Sequence, residues 1–255
     1  MRVIVTRPAA QAADWVLQLQ AHGIDAVALP LIGIAPVDDP APLTVAWQGL
    51  AHQRLVVFVS PNAADQFFAQ RPPSIAWPAG VLAGSPGPGT TRVLIGLGVA
   101  AVQIVAPAAD AAQFDSESLW AQLEGRDWNE AAVLIVRGDS GRDWLADTLR
   151  SRGASVEHVA AYRRVVPRLD AREAALLQAA ITDPGAHLWL FSSSEAIANL
   201  MALPPLAGSA NAARGRAVAT HPRIAARARE LGFGRVIESR PALTDVVACI
   251  QSLRP

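Results

Sequence analysis

The chain of 255 residues contains no lysine and a single cysteine. Without lysine there is no P-loop lysine to hold a nucleotide's phosphates. With only Cys249, an intramolecular disulfide and a cysteine-based metal site are both excluded, and the thiol reads as a small core group near the last helix. Aromatic residues make up 5% of the sequence, so the cores are expected to be packed by Val, Leu, Ile and Ala on α/β layers. The longest apolar run, around residues 93–102, falls well short of a membrane span. The first eight residues are too short and too soon interrupted by Arg7 and Pro8 to read as a signal peptide, and these missing signals point to the cytoplasm. Charge of neither sign is in excess: 22 arginines balance 22 acidic residues. A nucleic-acid binder needs a basic stripe to meet phosphates, and none is present. An all-arginine cation set suits bidentate contact with carboxylates, although an Ala- and Arg-rich composition is also what a GC-rich genome yields.

What is present is a pattern that recurs. Val3, Ile4 and Val5 form a short apolar run that ends at Thr6-Arg7-Pro8; a helical periodicity over residues 11–22 stops at Gly23, and residues 24–29 resume as strand. Residues 133–136 likewise end at Arg137-Gly138, a helix over 143–152 stops at Gly153, and 155–159 read as strand. Further along, the strand over 55–59 runs into Ser60-Pro61-Asn62, and the strand over 188–191 runs into Ser192-Ser193-Ser194. Gly87-Pro88-Gly89-Thr90 opens a helix ending near Gly98, as Thr220-His221-Pro222 opens one ending at Gly232. Four landmarks in the same order indicate internal duplication. Alternating strands and helices call for parallel sheets with helices on both faces. Residues 31–36 and 162–167 each end at proline and read as connections. Whether the copies are sequential domains or exchange segments stays open at this level.

In an open parallel sheet, ligands bind beyond the carboxyl ends of the strands, where helix amino termini present unpaired N–H groups. The candidates are therefore Thr6, Arg7, Ser60, Asn62, Thr90, Arg137, Gly138, Ser193, Ser194 and His221, with Asp139, Ser140 and Gly141 in the same turn as Gly138. Each hydroxyl or amide among them can instead merely cap its helix; as a set they favour binding of an anionic ligand. Gly138-Asp139-Ser140-Gly141 lacks the order of a nucleophile elbow. Gly87-Pro88-Gly89 lacks the full dinucleotide fingerprint, and the five histidines show no metal-ligand spacing. Tyr162 is the only tyrosine. It is either an aromatic packed at a hinge or a weak acid reaching a ligand site.

Taken in order, Val5-Thr6-Arg7-Pro8, Leu29-Pro30-Leu31-Ile32, Phe58-Val59-Ser60-Pro61-Asn62-Ala63, Gly87-Pro88-Gly89-Thr90, Asp115-Ser116-Glu117-Ser118-Leu119, Arg137-Gly138, Tyr162, Phe191 to Ser194 and His221-Pro222-Arg223-Ile224 resemble the uroporphyrinogen-III synthase family. Val59 and Ser192 stand where the family usually has threonine. The resemblance implies two similar three-layer α/β/α domains with parallel sheets, segment-exchanged and joined by a two-stranded linker. Residues 1–36 with 167–255 would form one domain and 37–166 the other. It further implies a monomeric, cofactor-free enzyme that closes hydroxymethylbilane to uroporphyrinogen III with its last ring inverted; the composition above makes that enzyme cytoplasmic, without nucleic-acid or membrane partners. Tyr162 takes the family's tyrosine position as general acid, and the other candidates named above become substrate contacts. The rival reading from the same pattern is a non-catalytic two-domain binder of a small molecule; a nucleotide-dependent transferase is disfavoured by the incomplete phosphate motifs.

Overall fold

The computed structural model describes residues 1–108, 111–139, 141–204, 206 and 215–253, so Ser140 lies outside the described residues. The chain opens with β1 (Arg2–Val5), α1 (Ala9–Ala21), β2 (Ala26–Ala28), β3 (Gly33–Pro36) and α2 (Ala41–Gln48). It continues through β4 (Leu55–Phe58), α3 (Pro61–Ala69), β5 (Leu82–Gly84), α4 (Pro88–Gly96), β6 (Ile104–Val105), α5 (Ser116–Trp120), β7 (Ala132–Gly138), α6 (Trp144–Ser151) and β8 (Ser155–Val165). It closes with α7 (Ala171–Thr182), β9 (His187–Phe191), α8 (Ser194–Ala202), β10 (Arg216–Ala219), α9 (Pro222–Glu230), β11 (Arg235–Glu238) and α10 (Leu243–Gln251). Two compact units result, one from Met1–Gly33 with Val165–Pro255, the other from Ile34–Arg164.

The first unit holds a sheet in the order β11-β10-β9-β1-β2, with every neighbouring pair parallel. The second holds β3-β8-β7-β4-β5-β6, in which β4 to β8 pair in parallel. Leaving β3 aside, the two orders superpose: β10 answers to β5, β9 to β4, β1 to β7 and β2 to β8. The chain order does not. The unit with both chain ends takes its first two strands from the start of the chain and the other three from its end.

Strands covered on both faces need unbroken apolar sequence, and β4 and β9 are buried at every residue. Alternation then sorts the side chains. In the second unit Val56, Phe58, Leu134 and Val136 face one core with Trp47 and Phe67, while Leu55, Val57, Val133 and Ile135 face the other with Trp120 and Trp128. The scarce aromatics are concentrated: Trp47 stacks on Phe67 at 4.6 Å and meets Phe68 edge-on at 5.1 Å. In the first unit Val3, Val5, Leu188, Leu190 and Val218 pack together under Leu19 of α1 and Ile250 of α10.

Glycine marks the repeat most directly. Among the described residues, the glycines with positive φ are Gly23, Gly98, Gly153 and Gly232, one after each of α1, α4, α6 and α9. At all four ends the glycine N–H bonds back to the carbonyl three residues earlier, to Gln20, Ile95, Arg150 and Arg229 at 2.9 to 3.0 Å. The next residue's N–H reaches Leu19, Leu94, Leu149 or Ala228 at 3.0 to 3.2 Å. This is the Schellman arrangement, which requires a left-handed residue and is closed by an apolar contact. Ile24, Val99, Ala154 and Phe233 supply the contact, all buried.

Both stretches read from the sequence as connections carry strand, and residues 33–36 of the first are β3. Residues 162–165, read from the sequence as connection, are the end of β8, which runs for 11 residues. The strand continues because its register with β7 shifts between Arg137 and Gly138, bringing Tyr162 opposite Gly138, and because β3 lies along its other side. Tyr162 thus sits within a strand. In the opposite direction, β2 is confined to Ala26–Ala28, since Pro30 closes the run expected over 24–29.

Candidate active site

In the Ile34–Arg164 unit, β4, β5, β7 and β8 bring Ser60, Ser85, Gly138 and Tyr162 to the carboxyl end of the sheet. Ser60 caps α3, its Oγ accepting the Ala63 N–H at 3.2 Å, and Pro61 follows at the first helical position, where a missing N–H costs nothing. The phenol of Tyr162 lies 3.1 Å from Ser60 Oγ. Tyr162 itself is 1% exposed, and its ring rests on Gly138 so closely that a Cβ there would stand 3.0 Å from Cε2 and Cζ. The Asp139 N–H bonds to the Tyr162 carbonyl at 3.0 Å and holds the turn against β8. Any side chain at position 138 would press on the tyrosine ring beside it. Asn62 is partly buried on the first turn of α3, whereas Thr90, on the first turn of α4, is buried. Beneath α4, Ser85 Oγ donates to the Gly87 carbonyl at 2.9 Å, and Thr91 Oγ1 donates to Ser85 Oγ at 2.9 Å.

Arg137 is not left open to a ligand. It donates to Asp143 Oδ1 at 2.6 Å, and this bond, with the arginine's charge, holds the Asp143 carboxyl below its usual range. His158 Nε2 stands 3.5 Å from the same oxygen, buried and without a hydrogen bond. Burial, and then the charge of Arg137, pushes its pKa down. The neighbouring Arg142 grips Glu117 with two bonds, 2.7 and 3.1 Å. Nothing in the spacing of Arg137, Asp143 and His158 announced this cluster, though an acidic residue soon after a strand-end arginine is a local hint.

In the unit with both chain ends, the rim follows β1, β9 and β10. Thr6 is 1% exposed and donates to the Leu190 carbonyl at 2.8 Å, tying β1 to β9. Arg7 stands differently from Arg137: its guanidinium lies 4.4 Å over the Trp15 ring, and its Nε is buried with no hydrogen-bond partner. Loss of hydration lowers its pKa to about 10, still fully charged at neutral pH. Trp15 was not singled out in the sequence, because Arg7 precedes α1 and no helical spacing links the two. Ser193 caps α8 by accepting the Glu195 N–H at 3.2 Å, and Ser194 is the first residue of that helix. His221 caps α9 in the same way, its Nδ1 accepting from the Arg223 N–H at 3.1 Å. A groove of about 770 Å³ opens elsewhere in this unit, along β2 between α1 and α7, lined by Val16, Leu17, Val27 and Leu176 among others; it contains none of the rim residues.

The family model described as Uroporphyrinogen-III synthase HemD matches residues 13–248. The chain belongs to the uroporphyrinogen-III synthase family. It is a cyclising lyase of tetrapyrrole biosynthesis, the pathway to heme. Among solved structures, a mutant uroporphyrinogen III synthase from the extremely thermophilic bacterium Thermus thermophilus is 15% identical with a TM-score of 0.59, the match covering 99% of this chain and 98% of that one. The uroporphyrinogen-III synthetase from Helicobacter pylori 26695 is 14% identical with a TM-score of 0.50, over 100% of both chains. At such identities the two structures speak for the shared α/β fold, and the family model carries the membership. No helix among the described residues is long and apolar enough to cross a membrane.

Proposed function

We propose that this uroporphyrinogen-III synthase closes hydroxymethylbilane with Tyr162 as the proton source for the departing hydroxyl. The observation that carries the assignment is the contact of 3.1 Å between the chain's only tyrosine and the serine that caps α3. It puts an ionisable hydroxyl, fixed on one side by Gly138, beside the positive end of a helix. Loss of water from the terminal hydroxymethyl group leaves an azafulvene on the first ring. The substituted carbon of the last ring attacks it, and the spiro intermediate fragments and recloses with that ring inverted. Because the activated bilane can close unaided to the uninverted isomer, the enzyme's task is to hold one conformer, which is catalysis by proximity and orientation.

The substrate's carboxylates are bound by Arg7, by the donors around Asn62 and Thr90, and by the amino termini of α8 and α9 with Ser193, Ser194 and His221. Arg137 contributes less because Asp143 already holds its guanidinium, Thr6 braces the rim through the Leu190 carbonyl, and the backbone at Gly138 and the hydroxyl of Ser60 meet the substrate's reacting end. Charge-assisted bonds of this kind are about twice as strong as neutral ones. The domains of this reading are residues 1–36 with 167–255 and residues 37–166, and the enzyme acts as a cytoplasmic monomer that needs no cofactor. The experiment is to incubate purified protein with fresh hydroxymethylbilane and resolve the product isomers. The expected product is type III; type I alone, as without protein, would refute the assignment. Tyr162→Phe is expected to lower kcat on the order of 100-fold with an unchanged far-UV spectrum.

A further inference from the structure

The phenol of Tyr162 belongs to a residue 1% exposed, yet its hydrogen-bond partner Ser60 is partly exposed at the start of α3. A serine hydroxyl has one proton to give and two lone pairs to receive. One lone pair takes the Ala63 N–H at 3.2 Å, and the Tyr162 hydroxyl stands at 3.1 Å, within donating distance of the other. With the phenol as donor in that contact, both serine lone pairs are engaged and its own proton is free to be given elsewhere. From this geometry we infer that Ser60 is a catalytic residue, passing the proton of Tyr162 to the departing hydroxyl. The inference rests on the reading of Tyr162 as the acid and adds the path its proton takes.

The step balances as follows. The C–O bond of the terminal hydroxymethyl group breaks with its electron pair on oxygen, which takes the Ser60 proton and leaves as water. Ser60 Oγ takes the Tyr162 proton, leaving a phenolate, and the lone pair of the first ring's nitrogen fills the vacated carbon as a cationic azafulvene. The proton that the macrocycle sheds on regaining aromaticity returns along the same path to the phenolate, so the net change is loss of one water. The Ala63 N–H and the amino end of α3, nine residues long, stabilise the negative charge that develops on Ser60 while its proton is in flight. Gly138 helps set the distance: a Cβ there would stand 3.0 Å from the tyrosine ring and press on the phenol beside the serine.

The test compares Ser60→Asn, Ser60→Thr, Tyr162→Phe and the double variant. Asparagine caps a helix as well as serine does but cannot pass a proton, so the fold is kept while the path is cut. Ser60→Asn is expected to lose kcat on the order of 100-fold, the double variant with Tyr162→Phe no more than either alone, and Ser60→Thr to recover most of the loss. Because Tyr162 is the only tyrosine, the phenol's Raman doublet carries no second tyrosine's contribution, and a donor signature is expected in the parent. Ser60→Asn within about threefold of the parent, beside an inactive Tyr162→Phe, would overturn the relay and leave Tyr162 as a direct donor. An acceptor signature in the parent would overturn it as well. A fully active Tyr162→Phe would instead refute the acid assignment on which the inference stands.

Discussion

Arg7 and Arg137 follow equivalent strands of the repeat, and their surroundings have diverged. Arg137 spends its charge on Asp143 at 2.6 Å, and next to it Arg142 spends its own on Glu117. Arg7 stacks on Trp15 and keeps an unpartnered Nε. Duplication copied the strand, the turn and the helix, because these are set by backbone and apolar pattern, whereas the charge balance at each rim was free to change. One rim holds an arginine stacked on a tryptophan; the other pairs its arginines with carboxylates and holds the phenol and the helix-capping serine.

The comparison breaks most directly at the arginines themselves. Arg7→Ala is expected to raise KM for the bilane about 10- to 100-fold, the value of a charged hydrogen bond, while Arg137→Ala raises it only a few-fold, because Asp143 already holds that guanidinium. Equal effects in steady-state assays would show that the ion pair does not shield Arg137. Next, Gly138→Ala pushes a Cβ to 3.0 Å from the Tyr162 ring; kcat should fall on the order of tenfold at unchanged KM, since small misplacements of reacting groups are costly. A smaller effect on stability separates two glycines of the repeat. An added Cβ at Gly23 meets nothing within 4 Å, but at Gly153 it meets Asn129 Oδ1 at 2.9 Å. Both alanines bear the left-handed penalty of roughly 1–2 kcal/mol, and urea midpoints should show Gly153→Ala losing about 1 kcal/mol more. The smallest effect concerns His158. Its pKa is lowered in the folded state, so the unfolded chain binds protons more readily; stability is full above the unfolded value of about 6.5 and declines as pH falls through the folded one. Replacing His158 with Gln should flatten that decline between pH 7 and 5 by a few tenths of a kcal/mol, discounted for its partial exposure, as read from urea midpoints.

Much of the fold was legible because it is written in local signals. The four helix-ending glycines, the prolines at positions 61, 88 and 222 and the apolar runs of β4, β7 and β9 are each readable from a few neighbours in sequence. The strand character of residues 162–165 was not, because it depends on β3 and on a register shift against β7, both set from far along the chain. The candidate site was legible as a set of positions and not as a set of contacts. That Ser60 faces Tyr162, 102 positions away, and that Arg7 lies on Trp15 while Arg137 pairs with Asp143, are matters of side-chain direction, which periodicity does not report.

The split origin of the unit with both chain ends also sets an order of events during synthesis. Val3 pairs with Leu188, so β1 emerges from the ribosome long before its central partner β9 exists, whereas all five parallel strands of the other unit lie between residues 55 and 165. The intervening unit can complete its sheet first, while Val3-Ile4-Val5, with only β2 available beside it, waits with its other edge open, an apolar edge of the kind that invites association. Nascent chains stopped near residue 186 should accordingly carry one finished sheet and one sticky strand, and a chaperone that holds the first 30 or so residues would act on the slowest contact in the molecule, since distant pairings form last.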